Sequence, residues 1–159
     1  MGKLLLVIYM LDNNLRYCRE ELEMTQEELG IVLGASKQTI SNWETGYTPM
    51  PLPKLIRFCN LYDYSLDFVC GFNRKNIKYN KNIKLNKKTI GNNLKKVREE
   101  LKITQQQLSD KCNFYQSTYN HYETGYSLIK IIPAYSICKT YNISFDWLVG
   151  RTNNIKINK

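Results

Sequence analysis

Residues 25–46 read TQEELGIVLGASKQTISNWETG, and the order of apolar, small and polar residues in this stretch decides the fold. From Gln26 to Leu33 the pattern is helical. Leu29, Val32 and Leu33 share one face, and Thr25 stands where a side-chain oxygen can accept from the first unpaired N–H groups. Gly34 offers the left-handed conformation that stops a helix, and Ser36 caps the next one, whose inward face is Ile40 and Trp43. Gly30 lies one turn before the bend, where a large side chain would keep the second helix from crossing close over the first; branched Ile40 plugs that crossing.

That combination is a helix-turn-helix, and at these residues the chain resembles the Cro and phage-repressor (XRE) family of DNA-binding domains. Gly30, Gly34, Ile40 and the run Trp43-Glu44-Thr45-Gly46 all fall where the family's pattern puts them. The resemblance implies a lambda-repressor-like domain of five helices, the third of which enters the major groove of double-stranded DNA.

The chain carries the pattern twice. Sliding the sequence on itself by 79 positions pairs Leu11–Gly71 with Ile90–Gly150 without a gap, matching Arg19 with Arg98, Thr25 with Thr104, Gln26 with Gln105, Glu44 with Glu123 and Gly46 with Gly125. Self-similarity of that density is duplication. The expected organisation is an apolar extension at 1–10, a first domain at 11–71, a basic linker at 72–89, a divergent second domain at 90–150 and a basic tail at 151–159. A domain of roughly 60 residues buries only about 60% of its unfolded surface, so each copy depends on all of its core. In the first copy that core is Leu15, Cys18 and Leu22, the pair of helices already described, Leu52, Leu55, Ile56 and Cys59, and finally Leu66 and Val69. Pro53 suits the first turn of the fourth helix; Ser65 caps the fifth, which Gly71 ends. The fold class is therefore all-α, two tandem five-helix domains. Ile77, Tyr79, Ile83 and Leu85 alternate with polar residues, and the tail nearly repeats the linker, so short β-strands from N-terminus, linker and tail stand beside a disordered basic linker as alternatives.

Charge is unevenly placed. The net charge is +9, yet residues 11–71 hold five Lys/Arg against nine Asp/Glu, whereas 72–89 hold Arg74, Lys75, Lys78, Lys81, Lys84, Lys87 and Lys88 with no acid. The electrostatic footprint of a nucleic-acid binder thus lies in the linker and tail. The acids of the first copy are mostly Glu20, Glu21, Glu23, Glu27 and Glu28, while the third helix has Lys37 and no acid before Glu44.

By resemblance, Ser36, Lys37, Gln38, Ser41 and Asn42 reach base edges or adjacent phosphates, Gln26 meets a phosphate, and Thr39, Thr45 and Tyr47 touch the backbone. The repeat positions are Gln105, Tyr115, Gln116, Ser117, Thr118, Asn120 and His121. The resemblance also gives Arg19–Glu44 and Arg98–Glu123 as partly buried ion pairs joining the first and third helices. The second copy departs from the pattern at three places: Asn113 replaces the turn glycine, Tyr115 the capping serine and Tyr119 the apolar plug. The first copy is accordingly expected to do most of the sequence reading, the second to position or dimerise.

Cys18, Cys59, Cys70, Cys112 and Cys138 form no CxxC pair and no Cys/His cluster, which suits core residues of a reduced, cytoplasmic protein without metal or cofactor. No nucleophile–base pair or phosphate loop points to an enzyme. Leu4–Leu11 is an apolar run of eight, too short to span a bilayer and lacking a signal-peptide cleavage site; it is either a strand that packs on a partner, including a second copy in a homodimer, or an extension upstream of the true start. The leading functional reading is a sequence-specific double-stranded-DNA-binding transcriptional regulator, a repressor. The alternative is a protein-interaction module such as an antitoxin or anti-repressor.

Overall fold

The computed structural model describes residues 12–157, and the apolar run at the N-terminus lies outside them. Ten helices occur among the described residues: α1 Leu15–Glu21, α2 Gln26–Leu33, α3 Lys37–Glu44, α4 Leu52–Tyr62, α5 Leu66–Val69, α6 Lys87–Glu100, α7 Gln105–Lys111, α8 Gln116–Glu123, α9 Ile131–Tyr141 and α10 Phe145–Leu148. The chain divides into two compact units, the first reaching Lys81 and the second running from Asn82 to Ile157. Each holds five helices.

Caps fix where these helices start. Thr25 Oγ1 accepts from the Glu28 amide while the Glu28 side chain accepts from the Thr25 amide, and Thr104 with Gln107 repeats the arrangement at α7. Ser36, Ser65 and Ser144 accept from Thr39, Phe68 and Trp147 N–H at the starts of α3, α5 and α10. Gly34 ends α2 at φ 64°, and Asn113 takes the same left-handed conformation at φ 65° in the second unit. Asparagine adopts that geometry at little cost because its short side chain is tolerated there.

Gly30 differs from its expected role. A Cβ at this position would strike the carbonyl oxygen of Ala35, so the residue clears the turn itself rather than the helix crossing. Its repeat partner Ser109 is fully buried and folds its hydroxyl back onto the Gln106 carbonyl at 3.0 Å. Ile40 is fully buried as the plug, and so is Tyr119, whose hydroxyl donates to the Leu94 carbonyl at 3.3 Å. The first unit adds an aromatic stack, with Tyr64 between Phe58 at 5.6 Å and Phe68 at 6.1 Å. The five cysteine side chains are buried, and burial with the nearby Glu21 carboxylate pushes the Cys18 thiol up to about 12. No helix among the described residues is long and apolar enough to cross a membrane.

The strands expected from the linker and tail do not form among the described residues. A single antiparallel bridge joins Ile143 to Lys156, and the Ser144 amide donates to the Ile155 carbonyl at 2.8 Å. In the first unit a side chain replaces this main-chain acceptor. Asn76 Oδ1 accepts from the Ser65 amide at 2.8 Å, and its Nδ2 donates to the Asp63 carbonyl at 3.0 Å. The start of the linker is thereby strapped to the first unit. Its end is helical, since Asn86 caps α6 and Lys87 opens it, seven residues before Leu94, the repeat partner of Leu15 at the start of α1.

The added length of α6 brings it against the end of α8. A Cβ on Gly91 would sit 2.6 Å from the Glu123 carbonyl oxygen and 2.7 Å from that of Tyr122, both rigid backbone atoms. Gly91→Ala should therefore destabilise the second unit by about 1–3 kcal/mol, the usual cost of overfilling a tight contact. Unfolding followed by Trp147 fluorescence in a Trp43→Phe background measures it, because the chain has one tryptophan in each unit.

Candidate nucleic-acid interface

The outer polar face of the third helix in each unit is set by a buried charge pair behind it. Arg19 Nε donates to Glu44 Oε1 at 2.5 Å and Nη2 to Oε2 at 3.1 Å, while Nη1 reaches the Met24 carbonyl at 2.7 Å. Arg98 and Glu123 repeat this fork at 2.8 and 2.7 Å, with Ile103 as the carbonyl acceptor at 3.2 Å. The Glu44 side chain is 2% exposed and that of Glu123 6%. A bidentate pair with a third acceptor fixes α3 against α1 in one orientation, and α8 against α6 likewise.

On the outer side of α3, Ser36, Lys37 and Gln38 are exposed and Ser41 and Asn42 half-buried. Gln38 Nε2 donates to Asn42 Oδ1 at 3.0 Å, so the two amides present one joined edge. Lys37 pairs with Glu27 at 3.1 Å, both side chains more than half exposed, which leaves less free charge at the start of α3 than the absence of acids within that helix suggests. Thr39 faces the Ser36 hydroxyl at 2.9 Å, Thr45 donates to the Ser41 carbonyl at 2.9 Å, and Tyr47 is 79% exposed. Gln26 turns inward and donates to Glu44 Oε2 at 2.9 Å, joining the clamp.

The second unit arranges its amides differently. Gln105 Oε1 accepts from Gln116 Nε2 at 2.7 Å, and Gln105 Nε2 donates to Asn120 Oδ1 at 3.3 Å. One glutamine on α7 thus orients two amides on α8. Ser117 and His121 are exposed, Thr118 half-buried, and the His121 ring rests against Tyr126 at 4.9 Å. Tyr115 is 73% exposed and gives α8 no side-chain cap. The amide relay is legible only as two glutamines eleven positions apart across the turn; the first copy has Lys37 at the second place, and its ammonium group pairs with Glu27 instead. No group of three or more His, Cys, Asp or Glu capable of holding a metal occurs among the described residues.

With this geometry in view, the comparisons with known proteins agree. The helix-turn-helix family profile matches residues 15–69 and again 94–148. The chain belongs to the helix-turn-helix family, in two tandem copies of the XRE type. A relative in Bacillus subtilis (strain 168), YobD, described as an uncharacterized HTH-type transcriptional regulator, is 32% identical over 72 residues, covering 40% of this chain and 64% of that protein. The chain therefore spans less than two thirds of that relative. No solved structure gives a significant match.

The clamp makes the second unit acid-sensitive. Burial pushes the Glu123 carboxyl up, but hydrogen bonds from Arg98, Tyr119 and Gln105 outweigh it and hold the group below its ordinary value. A lowered folded value means that the pair's contribution is complete above the unfolded carboxylate pKa of about 4.3 and is lost as pH falls through the lower folded value. Glu123→Gln should remove that acid dependence and cost about 3–5 kcal/mol at neutral pH, because it leaves Arg98 buried without its charge partner. Urea midpoints between pH 2 and 7, read at Trp147, check both.

Proposed function

We propose that the chain is a sequence-specific double-stranded-DNA-binding transcriptional regulator acting as a repressor, with α3 and α8 reading the major groove. The observation that carries this reading is the repeated pairing of a buried ionic clamp with an outward polar helix face, at α3 and again at α8. Membership of the helix-turn-helix family supports it, as does the relative described as a transcriptional regulator.

The contacts follow from donor and acceptor chemistry. A glutamine or asparagine amide matches the N6 and N7 edge of adenine, and an exposed lysine suits guanine or phosphate. In the first unit Gln38 and Asn42 are the readers, Lys37, Ser36 and Ser41 reach the same groove, and Thr39, Thr45 and Tyr47 flank the backbone. In the second, Gln116 and Asn120 are readers whose amides Gln105 holds in place, with Ser117, Thr118 and His121 along the same helix. Hydrogen-bonded orientation lowers the ordering cost of a base contact, so the amide relay favours a second reader over a unit that only positions the first. Repression then consists of occupying duplex that transcription requires.

Binding-site selection with the purified full chain tests this. Wild type should enrich one duplex sequence; Gln38→Ala and Gln116→Ala should each relax one or two base pairs by about 1–3 kcal/mol of discrimination and leave the other half of the site unchanged. Wild type that retains no duplex would turn the assignment toward a protein-interaction module. A Gln116→Ala selection identical to wild type would reduce the second unit to a positioning role.

A further inference from the structure

α6 begins at Lys87, and its first turns lie outside the family match, which begins at Leu94 in this unit. They are packed against the end of the recognition helix. Lys87 Nζ donates to the Tyr126 carbonyl at 3.2 Å. Gly125, in the left-handed conformation at φ 71°, would place a Cβ at 3.3 Å from the Lys87 carbonyl oxygen and from the Lys88 Cα, a tighter approach than most side-chain-bearing residues make.

What this contact gathers is positive and exposed. Lys87, Lys88 and Thr89 are all exposed, and no acidic residue occupies the first turn of α6. Neither lysine pairs with a carboxylate among the described residues, and the nearest acid at the end of α8, Glu123, is committed to Arg98. Beside them Tyr126 is 74% exposed with its ring on His121. The amides of Lys88 and Thr89 are already taken by the Asn86 side chain, which leaves the lysine ammonium groups and the tyrosine hydroxyl as the donors on offer.

We infer that Lys87, Lys88 and the Tyr126 hydroxyl form a shoulder that grips the sugar–phosphate backbone of duplex DNA beside the groove faced by α8. The inference rests on the functional reading above and adds to it two lysines that lie outside the family match. The ligand chemistry is a phosphodiester: two ammonium groups and one neutral hydroxyl suit an anion read by charge. Tyr47, the repeat partner of Tyr126, has similar exposure, yet the shoulder lysines belong to the second unit alone.

The test is the salt dependence of binding by the full chain to its selected duplex. Each phosphate contact contributes about −0.9 to the slope of log K against log[salt], so Lys87→Gln/Lys88→Gln should make the slope shallower by about 2 while the selected sequence stays the same. Tyr126→Phe should weaken all sequences alike by roughly fivefold, one hydrogen bond's worth. The charge-matched control is Lys111→Gln/Lys139→Gln, which removes lysines lying over the Tyr141 and Tyr135 rings; it should keep the wild-type slope. A shoulder variant with the wild-type slope, or one no different from the control, overturns the shoulder and leaves the DNA-binding reading standing. A wild-type chain that binds no duplex at all overturns that reading instead.

Discussion

An arginine and a glutamate taken out of water together hold each unit in shape. Burying two charges is expensive, and the cost is offset only where geometry and additional partners are good. Here both are: the guanidinium meets the carboxylate by two nitrogens and directs a third to a carbonyl beyond the end of the first helix, Met24 in one unit and Ile103 in the other. Because the arginine belongs to the first helix and the glutamate to the third, the pair sets the angle at which the third helix emerges. Its partners extend that control outward. Gln26 touches Glu44, and in the second unit Gln105 supports Glu123 as well as Gln116 and Asn120, so buried electrostatics governs the orientation of half-buried amides.

The two units solve the helix crossing with different chemistry. Ile40 fills it with hydrocarbon alone. Tyr119 fills a larger space and brings a hydroxyl that must be satisfied, which the Leu94 carbonyl and Glu123 provide. The second unit also lacks a side-chain cap on α8, since Tyr115 cannot supply the oxygen that Ser36 supplies. The bond from Gln105 to Gln116, the first residue of α8, ties down the same end of the helix by another route.

Most of this was legible in the sequence, and the exceptions have physical causes. Duplication and apolar spacing give ten helices, and the left-handed turns at Gly34 and Asn113 follow from residue type. The strands did not follow: alternation at Ile77, Tyr79, Ile83 and Leu85 is a local pattern, whereas a strand needs a partner with matching backbone groups. The start of α6 was hidden for a different reason. A repeat defines only what two copies share, and the helix begins in residues that the first copy does not reproduce. Gly91 is equally silent alone, because its meaning lies in two carbonyl oxygens thirty-odd residues away. At the site, residue types named the exposed face but not its internal pairing: position 37 carries a lysine that pairs with Glu27, whereas its repeat carries a glutamine whose amide donates to Gln105.

The strap that closes each unit carries a different exposure to mutation. The Ser144 amide is held by the main-chain carbonyl of Ile155, an acceptor that every amino acid possesses, so substitution at position 155 leaves the bond available. The Ser65 amide is held by the side chain of Asn76, which also reaches back to Asp63, and few replacements offer an acceptor and a donor at that distance. Two halves descended from one ancestor therefore drift under unequal constraint: the tail is free to change its letters so long as it keeps its course, while the linker must keep one letter to keep its course at all.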